Sequence, residues 1–291
     1  MMDGGSAGSG GHEVAVALRQ RLTATPPGRL RDAVELLIAH AFQIITALRA
    51  SPQELDALVH FLTEVGYATD ARRQEWVLLA DVFGLSEGAF GGTLADRPGV
   101  TPSTLSGPFY RADAPRLPLG ANLCRNGLGA PLVVTGRITN ADGQGLAGAE
   151  VEVWHADASG RYENQDPDNQ PEHNLRGRLI ADAEGRFHFT TIRPGGYSLP
   201  DDGPVGQLAR RLGLSLDRPA HVHFAVTAPG HRRLVTAIFD GSDPAIDRDA
   251  LFAVKPGLIG DFRSSGGRTT LDVDLALDPD GTPQSINEPK G

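Results

Sequence analysis

The chain has 291 residues, a formal net charge of −9 and one cysteine, Cys124. That length builds one large domain or two modest ones, each with a real core. The acidic balance excludes nucleic acid or an anionic membrane surface as the main partner, and a lone thiol excludes a disulfide framework or a cysteine-based zinc site.

Met1 to Gly11 is Gly/Ser-rich and lacks a basic or apolar leader pattern, so it reads as a flexible tail rather than a signal peptide. From residue 12 to about 100 the apolar period is helical. Leu30, Val34, Leu37, Ala41, Ile44, Ile45 and Leu48 fall three or four apart, as an amphipathic helix requires. The Ala33 to Leu48 segment carries Glu35, His40 and Gln43 and is too short and polar to span a bilayer. A soluble, cytoplasmic protein is expected. Ser51-Pro52-Gln53-Glu54 is a capping box opening a helix to about Val65, and a third helix is predicted from about Arg72 to Phe83, closed by Gly84. His40 and His60 are read as core or dimer-face residues on these helices.

Past residue 100 the period becomes two. Strands are predicted over Leu132 to Thr139, Ala149 to His155, Arg178 to Asp182, Arg186 to Ile192, His221 to Thr227, Arg233 to Phe239 and Thr269 to Leu277. Ala183-Glu184-Gly185 and Ala228-Pro229-Gly230-His231 read as hairpin turns. The class is mainly β: a β-sandwich over residues 101–291 with an N-terminal helical region over 12–100. Two long insertions interrupt it, Asp157 to Gly177 and Ser198 to Pro219; the second holds a short helix within Val205 to Leu214. Long loops in a compact β domain are where binding and catalysis gather.

Candidate chemistry centres on Arg218-Pro219-Ala220-His221-Val222-His223. Residues two apart on a strand share a face, so both imidazoles address one place. Of the four tyrosines, Tyr162 and Tyr197 follow glycines shortly before this pair. Two phenols and two imidazoles make an N/O ligand set for a metal, although each residue alone is commonly a packing residue. Zinc favours Cys, His and carboxylate, so two tyrosines point towards iron. Trp154 and His155 read as packing residues, and Asp166-Pro167-Asp168 as a turn-rich loop.

Taken in order, Gly160-Arg161-Tyr162, Pro194-Gly195-Gly196-Tyr197 and Arg218 to His223 resemble the intradiol ring-cleavage dioxygenases, the family of catechol, chlorocatechol and hydroxyquinol 1,2-dioxygenases and protocatechuate 3,4-dioxygenase. The likeness extends to Glu75 through Gly84, Thr104 through Tyr110, Ala149 through Asp157 and Asp202 through Gly206. It implies Fe(III) held by Tyr162, Tyr197, His221 and His223, with Tyr197 and His221 axial. It implies that a ring diol binds as Tyr197 leaves and takes up a proton, that Arg218 stabilises negative charge developing on the ring, and that O2 opens the ring between the hydroxyl carbons. The product would be a muconate or maleylacetate. The helical region fits the catechol and hydroxyquinol branch, whose dimers associate through such helices, so a homodimer is expected.

The family pattern also assigns substrate contacts to Leu78, Asp81, Gly107, Pro108, Phe109, Pro200, Arg218 and Ala237. Many catechol 1,2-dioxygenases carry glutamine where this chain has Ala237. That departure, with Leu78, Asp81 and the stretch from Phe239 to Lys255, points to hydroxyquinol, with catechol or chlorocatechol as the alternative. An aspartate at 81 would accept a hydrogen bond from a third ring hydroxyl. Ser198 stands where proline is usual after the axial tyrosine. The competing reading from another class is a non-catalytic, transthyretin-like binding sandwich, since Val134 through Val153 shares that strand pattern.

Overall fold

A computed structural model describes residues 9–70, 73–93 and 98–280. By compactness the chain falls into two units that divide after Tyr67. The first contains helices α1 (Ser9–Leu22), α2 (Arg29–Leu48) and α3 (Pro52–Tyr67), with α1 packed on α2. The start of α1 lies inside the segment read as a tail; residues 1–8 of that segment are outside the described ones. The capping box at Ser51 forms as expected: the Ser51 backbone N–H donates to Glu54 Oε2 at 2.7 Å, and the Glu54 N–H donates to Ser51 Oγ at 3.3 Å. Leu37, Ile44 and Leu48 of α2 and Leu55, Leu58 and Val59 of α3 are exposed.

The second unit opens with α4 (Glu75–Val82) and α5 (Leu85–Thr93), so these two helices group with the sheets. Gly84 stops α4 in the left-handed region at φ 70°. The strands follow as β1 (Pro131–Asn140), β2 (Glu150–His155), β3 (Arg176–Ile180), β4 (Arg186–Ile192) and β5 (Tyr197–Ser198). Helix α6 (Pro204–Leu212) falls within the second insertion, as its sequence predicts, and β6 (Asp217–Arg218), β7 (His221–Thr227), β8 (Leu234–Asp240), β9 (Ile259–Gly260), β10 (Arg263–Ser265) and β11 (Arg268–Leu277) complete the order.

Two sheets form the sandwich, β10-β11-β1-β4 and β3-β2-β7-β8-β9, and β5 pairs with β6 in a small ribbon. The hairpin predicted at Ala228 to His231 is present, with β7 and β8 antiparallel and His221 opposite Phe239. The one predicted at Ala183 to Gly185 is not. The turn forms, with the Asp182 N–H donating to the Arg186 carbonyl at 2.9 Å, yet β3 and β4 enter different sheets. Turn chemistry fixes the local reversal of direction, not the partner of each strand; here the chain arches from one layer to the other. Between the layers lie Val134, Ile138, Phe187 and Phe189 from one sheet and Val151, Val222, Phe224 and Val226 from the other.

One carboxylate ties α4 to α6. Glu75, fully buried, accepts the Val205 N–H in the first turn of α6 at 3.0 Å and pairs with Arg73 Nε at 2.7 Å. Arg73 Nη1 also reaches Asp202 at 2.8 Å. An acidic group at a helix N-terminus meets unsatisfied N–H groups and the positive end of the helix dipole, which is why a buried carboxylate is tolerated there.

Candidate metal centre

His221, Val222, His223, Phe224, Ala225 and Val226 of β7 are all buried. The even positions belong to the interlayer core. The odd positions carry the two imidazoles and Ala225, and Ala225 joins a second cluster with Trp154, Tyr162 and the flanking Phe109, Tyr110, Tyr197 and Val235. The site therefore sits on the outer face of the five-stranded sheet, under loops.

Glycine brings the two tyrosines together. The loop with Gly160 and the loop with Gly195 and Gly196 touch backbone to backbone, and the Gly195 N–H donates to the Asp157 carbonyl at 2.9 Å. A Cβ at Gly160, which has φ +82°, would meet the Gly196 carbonyl oxygen at 2.5 Å; one at Gly195 would meet the Ala158 oxygen at 2.4 Å. The Tyr162 and Tyr197 rings consequently meet edge to face, 6.2 Å apart, and the Tyr197 ring lies 5.7 Å from the His221 ring.

The imidazole geometry is specific. His221 Nδ1 lies 2.7 Å from the Pro219 carbonyl, which can only accept, so the ring proton sits on Nδ1 and Nε2 presents a lone pair. That Nε2 is 3.1 Å from His223 Nε2, while His223 Nδ1 is buried with no hydrogen-bond partner. Burial holds both histidines well below the ordinary imidazole pKa; the Arg218 charge adds to this at His221, and the His221 and Arg218 charges at His223. Both rings are therefore neutral donors at neutral pH. The Tyr162 hydroxyl is also buried without a partner, and its pKa is pushed well above that of a free phenol by burial first and by the adjacent Tyr197 second. Buried polar atoms left unpaired are costly. A hard cation among these four side chains would use the His221 Nε2 lone pair, accept the second imidazole and convert the stranded phenol to phenolate. The residues fit a metal.

The supporting contacts are equally defined. Phe109 stacks on Tyr162 at 4.2 Å, and Trp154 stacks on His223 at 4.8 Å, 4° from parallel. The Arg176 guanidinium lies 5.8 Å from the Tyr162 ring centre, donates to the Phe109 carbonyl and pairs through Nε with Glu163 at 2.6 Å, both partners buried. Arg218, buried, donates from Nη1 to Tyr197 Oη at 3.4 Å.

Among the other residues predicted to touch substrate, Asp81 is half-buried on α4. Burial raises its pKa, opposed by a hydrogen bond from Ser86 and by the Arg218 charge, which places it within electrostatic reach of Arg218. Leu78, also half-buried, lies three residues earlier on α4. Gly107 adopts φ +68°; Pro108 and Pro200 are exposed; Ala237 is fully buried and pairs with His223 in the β7–β8 register. Sequence reasoning gave no role to Asp249, Arg176 or Glu163. Their partners lie 31 and 13 residues away, so no local pattern announces them. A second ligand-type group, Asp113, Glu172 and His173, has two exposed carboxylates bound to Arg111, which also pairs with Glu163 at 3.3 Å.

Known proteins resemble this chain along most of its length. A family model described as "Dioxygenase" matches residues 105–279, and one described as "Catechol dioxygenase N terminus" matches residues 28–88. A hydroxyquinol 1,2-dioxygenase of Rhizobium sp. (strain MTP-10005) is 42% identical over 235 residues, covering 81% of this chain and 80% of that protein. A 6-chlorohydroxyquinol 1,2-dioxygenase of Cupriavidus pinatubonensis is 39% identical over 269 residues, 92% of this chain and 97% of that one. The crystal structure of a hydroxyquinol 1,2-dioxygenase from Pseudomonas putida DLL-E4 superposes with a TM-score of 0.88 at 30% identity, covering 93% of this chain and 99% of the other.

Proposed function

The chain belongs to the intradiol ring-cleavage dioxygenases, and from that premise we propose that it binds Fe(III) through Tyr162, Tyr197, His221 and His223 and cleaves hydroxyquinol. The observation that carries the iron site is the buried approach of the two Nε2 atoms at 3.1 Å beside two phenols, one of them stranded. Relatives named hydroxyquinol 1,2-dioxygenase at 36–42% identity support the substrate, as does Asp81, a carboxylate near Arg218 suited to a third ring hydroxyl.

Ferric iron, when bound, supplies a Lewis acid for both diol oxygens and a route for electrons from the ring to O2. The protein does the rest. Tyr162 is fully buried and clamped by the Phe109 ring, so it remains a fixed donor. Tyr197 is half-exposed and its Oη is held by a long 3.4 Å bond from Arg218, so it is the phenol suited to accept a proton from the incoming diol. Pro219 and Trp154 hold the imidazoles in orientation. Arg218 presents a buried positive charge to the oxygen-bearing ring, where a low dielectric strengthens it.

The exposed apolar residues of α2 and α3 support a homodimer through these helices. A cytoplasmic location belongs to the same reading; none of the described helices is long and apolar enough to cross a membrane.

Purified protein should contain iron, absorb visibly through phenolate-to-iron charge transfer, and give ring-opened product from hydroxyquinol faster than from catechol, chlorocatechols or protocatechuate. Protein that takes up no iron and opens no diol ring would overturn the reading; faster turnover of catechol would overturn the substrate alone. Light scattering tests the dimer.

A further inference from the structure

We propose that Asp249 is the positioning residue that holds Arg218 in its working orientation, an inference that rests on the iron-site reading above. Both side chains are almost fully buried, at 2% and 4% exposure, and Asp249 Oδ1 accepts the Arg218 Nε–H at 3.1 Å. The other carboxylate oxygen is anchored by the Ala253 N–H at 2.9 Å, so Asp249 cannot rotate to follow the arginine. The backbone repeats the tie: the Ala250 N–H donates to the Asp217 carbonyl at 2.9 Å, joining the residue after Asp249 to the residue before Arg218.

The manner of the grip separates positioning from plain stabilisation. Arginine and carboxylate usually meet fork to fork through two parallel bonds. Here Asp249 takes only the Nε edge. The Nη end stays turned towards the candidate centre, where Nη1 reaches Tyr197 Oη and the guanidinium carbon lies 6.0 Å from the Tyr197 ring and 5.9 Å from the Phe239 ring. A buried ion pair is weak support for stability in itself, since desolvation offsets most of the attraction. Its geometric consequence is a guanidinium with one edge fixed and the other available to negative charge on the diol or on oxygen.

The test compares the wild type, Asp249→Asn, Arg218→Lys and the double variant, each loaded with iron. Asp249→Asn is expected to lower kcat about 10- to 100-fold, the range typical of removing an orienting partner, with KM changed less than about threefold, since the loss falls on the transition state. The visible band should shift in the same direction as in Arg218→Lys, because both alter the hydrogen bond at Tyr197. The double variant should be no worse than Arg218→Lys alone. Unchanged kcat and band in Asp249→Asn, whatever its melting temperature, overturns the proposal, as do losses that multiply in the double variant. Should Asp249→Asn fail to fold, Asp249→Glu keeps the charge and moves it by one methylene: reduced kcat at near-native melting temperature supports positioning, and native kcat overturns it. If the wild type itself proves colourless and inactive, the iron reading fails separately. Crystal structures of the iron-free wild type and Asp249→Asn then decide: Arg218 displaced from Tyr197 in the variant supports Asp249's role, and Arg218 in place overturns it.

Discussion

Along β11 of the four-stranded sheet, buried Thr269, Leu271, Val273, Leu275 and Leu277 alternate with exposed Thr270, Asp272 and Asp274. Along β7 of the five-stranded sheet, six successive residues are buried. The first pattern belongs to a sheet with one face on the core and one in water. In the second, the outer face has been withdrawn from water without becoming hydrophobic, and its row reads His221, His223, Ala225. A strand buried on both sides, with polar side chains on the side away from the core, carries the proposed chemistry.

Adjacent residues of β7 offer the sharpest way to break that contrast. His223→Ala removes a proposed donor and should abolish iron binding, lowering turnover roughly 10³-fold or more, beyond the 10- to 100-fold cost of losing a supporting contact. Metal analysis checks it, and retained iron would break the comparison. Phe224→Ala, one residue on and facing the interlayer core, should instead cost about 3–5 kcal/mol of stability, read by denaturant unfolding of iron-free protein.

His155 tests the join between the sheets. It lies on β2, with Nε2 2.8 Å from Thr191 Oγ1 on β4 and Nδ1 2.7 Å from the Ala156 carbonyl. Burial lowers its pKa from 6.5 to about 4. The unfolded chain therefore takes up a proton below about pH 6.5 that the folded one refuses until about pH 4. Its contribution is complete above that window and declines as pH falls through it, by up to about 3 kcal/mol. The iron-free wild type should lose that much more stability than His155→Gln between pH 7 and 4; equal slopes would place His155 outside the account. At the far end, Asp274→Ala on the exposed row of β11 should change stability by less than about 0.5 kcal/mol.

Much of this was legible in the sequence because the signals are local. Period-two runs gave β1, β2, β7, β8 and β11, and the box at Ser51 gave α3; the glycines ahead of Tyr162 and Tyr197 were visible, but the backbone contact they permit was not. The hairpin at Gly185 misled because a turn says nothing of which sheet each arm will join. Asp249, Arg176 and Glu163 were silent for the same physical reason: a buried charge is identified by its partner, and the partner is brought in by tertiary structure. The burial on both sides of β7 was likewise hidden, since histidines at alternate positions show that two imidazoles share a face but not which loops cover it.

The Glu75 carboxylate carries a consequence for anyone reshaping this pocket. It fastens α4, which bears Leu78 and Asp81, to the first turn of α6, which begins four residues after Pro200. The wall proposed for ring substituents and the segment leading from Tyr197 are thus tied together. Enlarging the proposed pocket at Leu78 should be felt, through Glu75 and its Arg73 partner on Asp202, at the phenol proposed to move, so substrate range and the ease of Tyr197 exchange should change together rather than as separate dials.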